Sequence, residues 1–142
     1  MVKKRQDALR EICEKFRVSL LYAFGSQAET VRAWLEGQRE EVERVSSDVD
    51  IGIKGSPGEK YSVKDKAKIA LALENLFGRS RVDLVVLNEA DPFLAAEIIR
   101  GERLFSRDGH EADEYELYIL RRAGDLAFLE RERMALILER SR

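Results

Sequence analysis

The chain is short of the residues that make covalent staples and transition-metal cages. A single cysteine, Cys13, has no internal partner for a disulfide, a usage that suits a reducing compartment. A single histidine, His110, sits beside Gly109 in a polar stretch. With no second histidine or cysteine near it in sequence, it reads as a surface residue, which argues against zinc. Long apolar runs are missing too: nothing approaches the ~20 residues that span a bilayer. The basic N-terminus, Met1 to Asp7, has no apolar stretch behind it and does not read as a secretory signal. Excess charge of either sign is also absent, with 25 Lys and Arg against 27 Asp and Glu. That balance argues against a surface that coats nucleic acid, so no direct nucleic-acid binding is expected. Together these absences describe a small cytoplasmic protein that does not enter membranes.

What is present is a regular alternation of elements. At 142 residues the chain is the size of one domain with a sizeable core. Leu9, Ile12, Cys13 and Phe16 repeat at the spacing of one helix face over residues 3–16. On that stripe Cys13 is a small core residue rather than a nucleophile. Val18 to Phe24 is short and continuously apolar, as a central strand buried on both faces would be. A helical stripe of Val31, Trp34, Leu35, Val42 and Val45 follows over 29–45, interrupted by Gly37, with Trp34 as its packing anchor. Lys54 to Gly58 has turn composition. Ser62 then caps a helix to about Phe77, its Ala67, Ala70, Leu73 and Phe77 on one side with Ile69 and Leu76 widening the stripe, and Gly78 stops it. Arg81 to Leu87 reads as a third, buried strand, Asp91-Pro92 opens a short helix closed by Gly101, and Leu104-Phe105 adds a brief edge strand. From Glu111 to Arg140 the pattern is helical again, with Gly124 bending or dividing it. Its aromatic edge, Tyr115, Tyr118 and Phe128, makes residues 111–140 the candidate protein contact.

Two places in this pattern conflict with burial. In Ser47 to Ile53, a strand-like run carries Asp48 and Asp50 two residues apart. Alternation turns both acids to one face, about 6–7 Å apart, where they repel unless a cation lies between them. Magnesium is commonly held by one or two carboxylates plus substrate phosphates. In the third strand, Asp83 lies inside a β-branched run and needs either a salt bridge to Arg79 or Arg81, or a place beside the other two acids around a metal. Upstream, Gly25-Ser26 ends the first strand just before a helix, a corner whose unpaired N–H groups favour phosphate. Each feature taken alone also has a plain reading: an edge strand with two solvated acids, and an ordinary turn with a helix cap.

In combination the order is strand, Gly-Ser corner, helix, D-x-D strand, helix, strand with a lone Asp. Phe24-Gly25-Ser26, Ser47-Asp48-Val49-Asp50-Ile51 and Val82-Asp83-Leu84-Val85 together resemble the minimal nucleotidyltransferases of the DNA polymerase β superfamily, over roughly residues 8–107. The resemblance implies an α+β fold with α/β-type layers: a small mixed sheet flanked by helices, with a catalytic core over 1–107 and a C-terminal helical extension over 108–142, all in one domain. It implies that Gly25 and Ser26 hold the nucleotide, and that Asp48, Asp50 and Asp83 bind two Mg²⁺ ions and carry catalysis, Asp83 facing the acceptor hydroxyl. It further implies transfer of AMP from ATP to a tyrosine of a partner HEPN toxin, that is, an antitoxin role, and it leaves room for a homo-oligomer. The gap between Gly-Ser and D-x-D is longer here than is usual in the family, and Gln27 stands where a basic residue is common. The alternative is a catalytically weak antitoxin that neutralises its partner by masking a surface with residues 111–140. A small-molecule, aminoglycoside-type nucleotidyltransferase is disfavoured, because one domain of this size has little surface left to enclose such a substrate.

Overall fold

The computed structural model describes residues 2–42, 48–78 and 81–140. Among the described residues five α-helices, α1 (Val2–Lys15), α2 (Ala28–Leu35), α3 (Val63–Leu76), α4 (Pro92–Ile99) and α5 (Gly109–Arg140), surround four strands. The strands β1 (Val18–Phe24), β2 (Val49–Gly55), β3 (Val82–Val86) and β4 (Glu102–Ser106) form one mixed sheet in the order β3-β2-β1-β4. β1 runs antiparallel to β2 and β4, and β2 runs parallel to β3. Every residue of β1 is buried, as its uninterrupted apolar run requires of a central strand.

The two faces of the sheet build two cores. Leu21 and Ala23 of β1 join Ile51 and Ile53 of β2 beneath α1, α2 and α3, through Leu9, Cys13, Val31, Trp34, Ile69 and Leu73. Leu20, Tyr22 and Phe24 face the other way, onto Ala95, Ile98 and Ile99 of α4 and Ala112, Ile119 and Ala123 of α5. The layered α+β architecture expected from the sequence is therefore the one observed. Among the described residues no helix is long and apolar enough to cross a membrane.

Several local expectations differ. The helix expected over 29–45 ends at Leu35, and Gly37 turns the chain with φ +79°. The Arg5 guanidinium, stacked 4.7 Å over the Trp34 ring, donates to the carbonyls of Trp34 (2.7 Å) and Arg39 (2.9 Å). It thus satisfies carbonyls that a longer helix would have used, and so stabilises the stop. Trp34 is the anchor expected of it, edge-on to Phe77 at 5.6 Å. Lys54 and Gly55 extend β2 instead of turning, because Leu20 and Val18 of β1 pair with them and the Ser19 hydroxyl donates to both their carbonyls. On α3 the buried stripe is Ile69, Leu73 and Phe77, while Ala67 is exposed. The Ser62 cap forms a reciprocal box with Asp65.

β3 is an edge strand and only partly buried, so its β-branched run reflects strand preference more than depth. α5 runs unbroken through Gly124. A glycine costs about 1 kcal/mol in a helix but compels no kink where nothing packs against it, and no atom lies within 4 Å of its missing Cβ. The expected positions Val45, Ser47 and Arg79 lie outside the described residues.

Candidate active site at the carboxylate end of the sheet

The sheet's directions bring four chain segments to one end. Because β1 is antiparallel to β2, the close of β1 lies beside the opening of β2, with Phe24 opposite Asp50. Because β3 is parallel to β2, its opening lies there as well, and Asp83 is the register partner of Asp50. Directly paired residues point to the same face, so these two acids share a face one strand spacing apart, about 5 Å. β4, antiparallel to β1, opens at the same end, with Glu102 opposite Ala23. Asp48 stands just ahead of β2, exposed, two residues before Asp50. The strand itself starts at Val49, whose N–H donates to the Arg81 carbonyl at 2.7 Å.

Gly25 takes φ +75°, a conformation L side chains rarely adopt, and a Cβ built on it would collide with Oδ2 of Asp50. The carboxylate occupies the space that any other residue's side chain would fill. A short 3₁₀ turn, Gly25–Gln27, leads straight into α2. Neither start is capped by a side chain, which leaves backbone N–H groups at the positive end of the helix dipole. Gly25 and Ser26 are both exposed there. The corner and the acid pair are thus one place, joined by a contact between residues 25 positions apart.

The electrostatics of that place are unfavourable as it stands. The Asp50 carboxyl is pushed up from its ordinary range, first by burial, then by the charges of Asp83, Asp48 and Glu97. Three of these acids were singled out by sequence; Glu97 was not. It lies on α4, on an exposed stripe with Phe93 and Arg100. α4 comes over the acids' face because Gly52, two residues on from Asp50, leaves room for the Ile98 side chain. Such proximity comes from helix docking and leaves no local sequence signal. Among the described residues Arg81 makes no salt bridge with Asp83, and Arg79 lies outside them.

The donor set is all carboxylate oxygen, which suits a hard cation such as magnesium and not zinc. Among the described residues no three His, Cys, Asp or Glu side chains gather closely enough to hold an ion unaided. A site of one or two carboxylates completed by phosphate oxygens is the form magnesium usually takes. The Asp50–Asp83 pair, with Asp48 at its edge, fits that form.

The other candidate residues are structural or peripheral. Cys13 is fully buried, and burial pushes its thiol up to about 12, which leaves it inert. His110 is exposed at the start of α5, 3.1 Å from Glu114. The rings of Tyr115 and Tyr118 lie 6.3 Å apart, tilted by 37°, near the beginning of the same helix, Tyr118 on its exposed side. From Phe128 onward every described residue of α5 is exposed, Leu129, Leu136 and Leu138 among them.

A family model for "Polymerase beta, Nucleotidyltransferase" matches residues 7–110. Among curated proteins none is similar enough in sequence to count as a match. Solved structures share the fold over nearly the whole chain. A toxin–antitoxin structure with AMP-PNP is similar with a TM-score of 0.65 at 18% identity, covering 94% of this chain and 96% of that one. A tri-AMPylated Shewanella oneidensis HEPN toxin in complex with MNT antitoxin gives 0.62 at 18% identity, covering 98% of each chain. The toxin–antitoxin pair MntA-HepT gives 0.61 at 17% identity, covering 96% and 97%.

Proposed function

The chain belongs to the polymerase β nucleotidyltransferase family, and from that premise we propose that it transfers AMP from ATP to a tyrosine hydroxyl of a HEPN-type toxin and thereby acts as its antitoxin. The observation that carries this reading is the register pairing of Asp50 with Asp83 beneath the Gly25 turn. It brings Asp50, Asp83 and the Gly25 turn to one end of one sheet, which supports reading them as a metal and phosphate site. The likeness to structures of AMP-PNP-bound and AMPylated toxin–antitoxin pairs supports the choice of nucleotide and acceptor.

In this reading the exposed N–H groups of Gly25 and Ser26, with the Ser26 hydroxyl, receive phosphate oxygens at the head of α2. Asp48, Asp50 and Asp83 would hold two Mg²⁺ ions, which would supply charge neutralisation at the phosphoryl group and the departing pyrophosphate. The tyrosine oxygen attacks the α-phosphorus. One P–O bond forms, the bond to the β-phosphate oxygen breaks, and pyrophosphate leaves with its electron pair. Asp83, on the edge strand and exposed, faces the incoming acceptor, and its carboxylate takes the phenolic proton. The protein's work is positioning and charge placement.

α5 is the surface offered to the toxin. Its first half is tied down: the buried Tyr22 hydroxyl donates to Glu116 at 2.6 Å, and Arg103 bridges Asp113 (2.9 Å) and Glu116 (3.0 Å). Its second half is exposed, with apolar side chains in solvent, an arrangement that favours burial against a partner. Incubation with labelled ATP, Mg²⁺ and a HEPN toxin tests the chemistry: label should reach the toxin, and Asp48→Asn, Asp50→Asn and Asp83→Asn should each abolish it. Transfer that persists in all three variants would remove the site assignment.

The exposed half of α5 also favours a second reading, neutralisation by masking alone. An Asp48→Asn/Asp50→Asn double variant that protects against the toxin as well as wild type would select masking. Loss of protection with binding retained would select chemistry.

A further inference from the structure

A nucleoside triphosphate brings several negative charges to an end of the sheet already crowded with carboxylates, so a cation of the protein's own beside the outer phosphates would add to the neutralisation that Mg²⁺ would supply. Three arginines of the described residues flank this end. Arg32 of α2 is occupied by Glu36 (2.7 Å), Glu102 (3.6 Å) and Glu29 (3.9 Å). Arg81 stands at the head of β3, two strands across from β1 and its Gly25 turn, about 10 Å away. Arg100 closes α4, is exposed, and has no carboxylate partner among the described residues.

The position of Arg100 is set by backbone packing. Its neighbour Gly101 abuts β1 so closely that a Cβ there would run into the Ala23 carbonyl and come within 3.1 Å of the Phe24 Cα. Phe24 leads directly into Gly25. One turn back along the same exposed stripe, Glu97 is near enough to Asp50 to act on it by charge. The last turn of α4 therefore overlooks both the Gly25 turn and the acid pair. An arginine at that place offers a planar, permanently charged fork to phosphate oxygens.

We propose that Arg100 is a nucleotide-binding residue whose guanidinium receives the β- and γ-phosphates of a nucleoside triphosphate held at the Gly25–Ser26 turn. The assignment rests on the nucleotidyl-transfer reading above but predicts a property that does not require a toxin. Arg100 acts on the part of the nucleotide that leaves as pyrophosphate, whereas the α-phosphate belongs to the turn and the carboxylates. It therefore discriminates triphosphate from monophosphate.

Calorimetric titration of the full chain with ATP and, separately, AMP, both with Mg²⁺, provides the test. Arg100→Ala should weaken ATP binding by about 10-fold or more, the size of one charged hydrogen-bonding contact. AMP binding should change by less than about 3-fold, and Arg100→Lys should recover part of the ATP affinity. Arg81→Ala, the comparison variant, should bind ATP as wild type does. Wild-type ATP affinity in Arg100→Ala overturns the proposal and leaves the nucleotidyl-transfer reading standing, as does an equal loss for ATP and AMP. A wild-type chain that takes up neither nucleotide overturns both. Thermal melts of each variant separate a lost contact from a lost fold.

Discussion

Gly25→Ala is the most discriminating single substitution in this molecule, because two separable costs meet there. The first is conformational: an L residue at φ +75° costs roughly 1–2 kcal/mol. Part of this, about 0.4–1 kcal/mol, is returned by the lower entropy of alanine in the unfolded chain. The second is steric and local, since the new Cβ lands on Oδ2 of Asp50. Turning that carboxylate off its rotamer adds about 0.5–1.5 kcal/mol. The total is about 0.5–3 kcal/mol, readable as a shift of the urea midpoint at constant slope. Gly58→Ala isolates the first cost, because Gly58 has φ +83° and nothing within 4 Å of its missing Cβ. It should lose only about 1 kcal/mol and keep full activity. Asp50→Ala isolates the second: in that background Gly25→Ala should cost less by about the steric amount, so the double variant is less destabilised than the sum of the singles in a double-mutant cycle. AMP transfer by Gly25→Ala should fall about 100-fold, the order of loss that follows a ~1 Å misplacement of a reacting group. Equal behaviour of Gly25→Ala and Gly58→Ala in stability and transfer, with an additive cycle, would refute the claim that the turn and the carboxylate share one space.

Removing one charge from the acid pair should stabilise the fold in EDTA: Asp50→Asn is expected to gain about 1 kcal/mol at neutral pH, allowing for solvent screening. Because the Asp50 carboxyl is raised in the folded state, the wild type is favoured below the carboxyl's unfolded pKa and loses that advantage as pH rises through the folded value. The gain should therefore vanish in acid, and a variant no more stable at pH 7 than at pH 3, relative to wild type, would contradict the repulsion. Cys13, with its thiol pushed up to about 12 by burial, should resist a thiol reagent at pH 8 in the native state and react fully in denaturant; fast native labelling would place it at the surface. Gly101→Ala should destabilise by about 3 kcal/mol or more, because its Cβ meets the rigid Ala23 carbonyl. Gly52→Ala should cost less, since it meets the movable Ile98 side chain, and the reverse order in urea melts would show that α4 does not sit as described.

The elements with long, regular patterns were legible in sequence: the α1 stripe of Leu9, Ile12, Cys13 and Phe16, the continuous apolar run of β1, and the capped start of α3. These are set by hydrophobic period and by caps, which act within a few residues. The misread places are those where a distant group decides. α2 stops at Leu35 with Arg5 of another helix on the Trp34 carbonyl of its last turn. β2 runs on to Gly55 because β1 offers it partners. α5 passes Gly124 straight because nothing there forces a bend.

The candidate site divides along the same line. By itself the sequence determined its chemistry: two carboxylates at strand spacing, a third inside a β-branched run, and a Gly-Ser turn before a helix, since residue type and alternation are local facts. Only the tertiary structure decided that these belong together. The parallel pairing of β2 with β3 sets Asp83 beside Asp50, the antiparallel pairing with β1 brings Gly25 onto the same carboxylate, and the docking of α4 adds Glu97. Strand order and helix docking are fixed by the total burial of two cores on opposite faces of the sheet. No short stretch of chain carries that quantity.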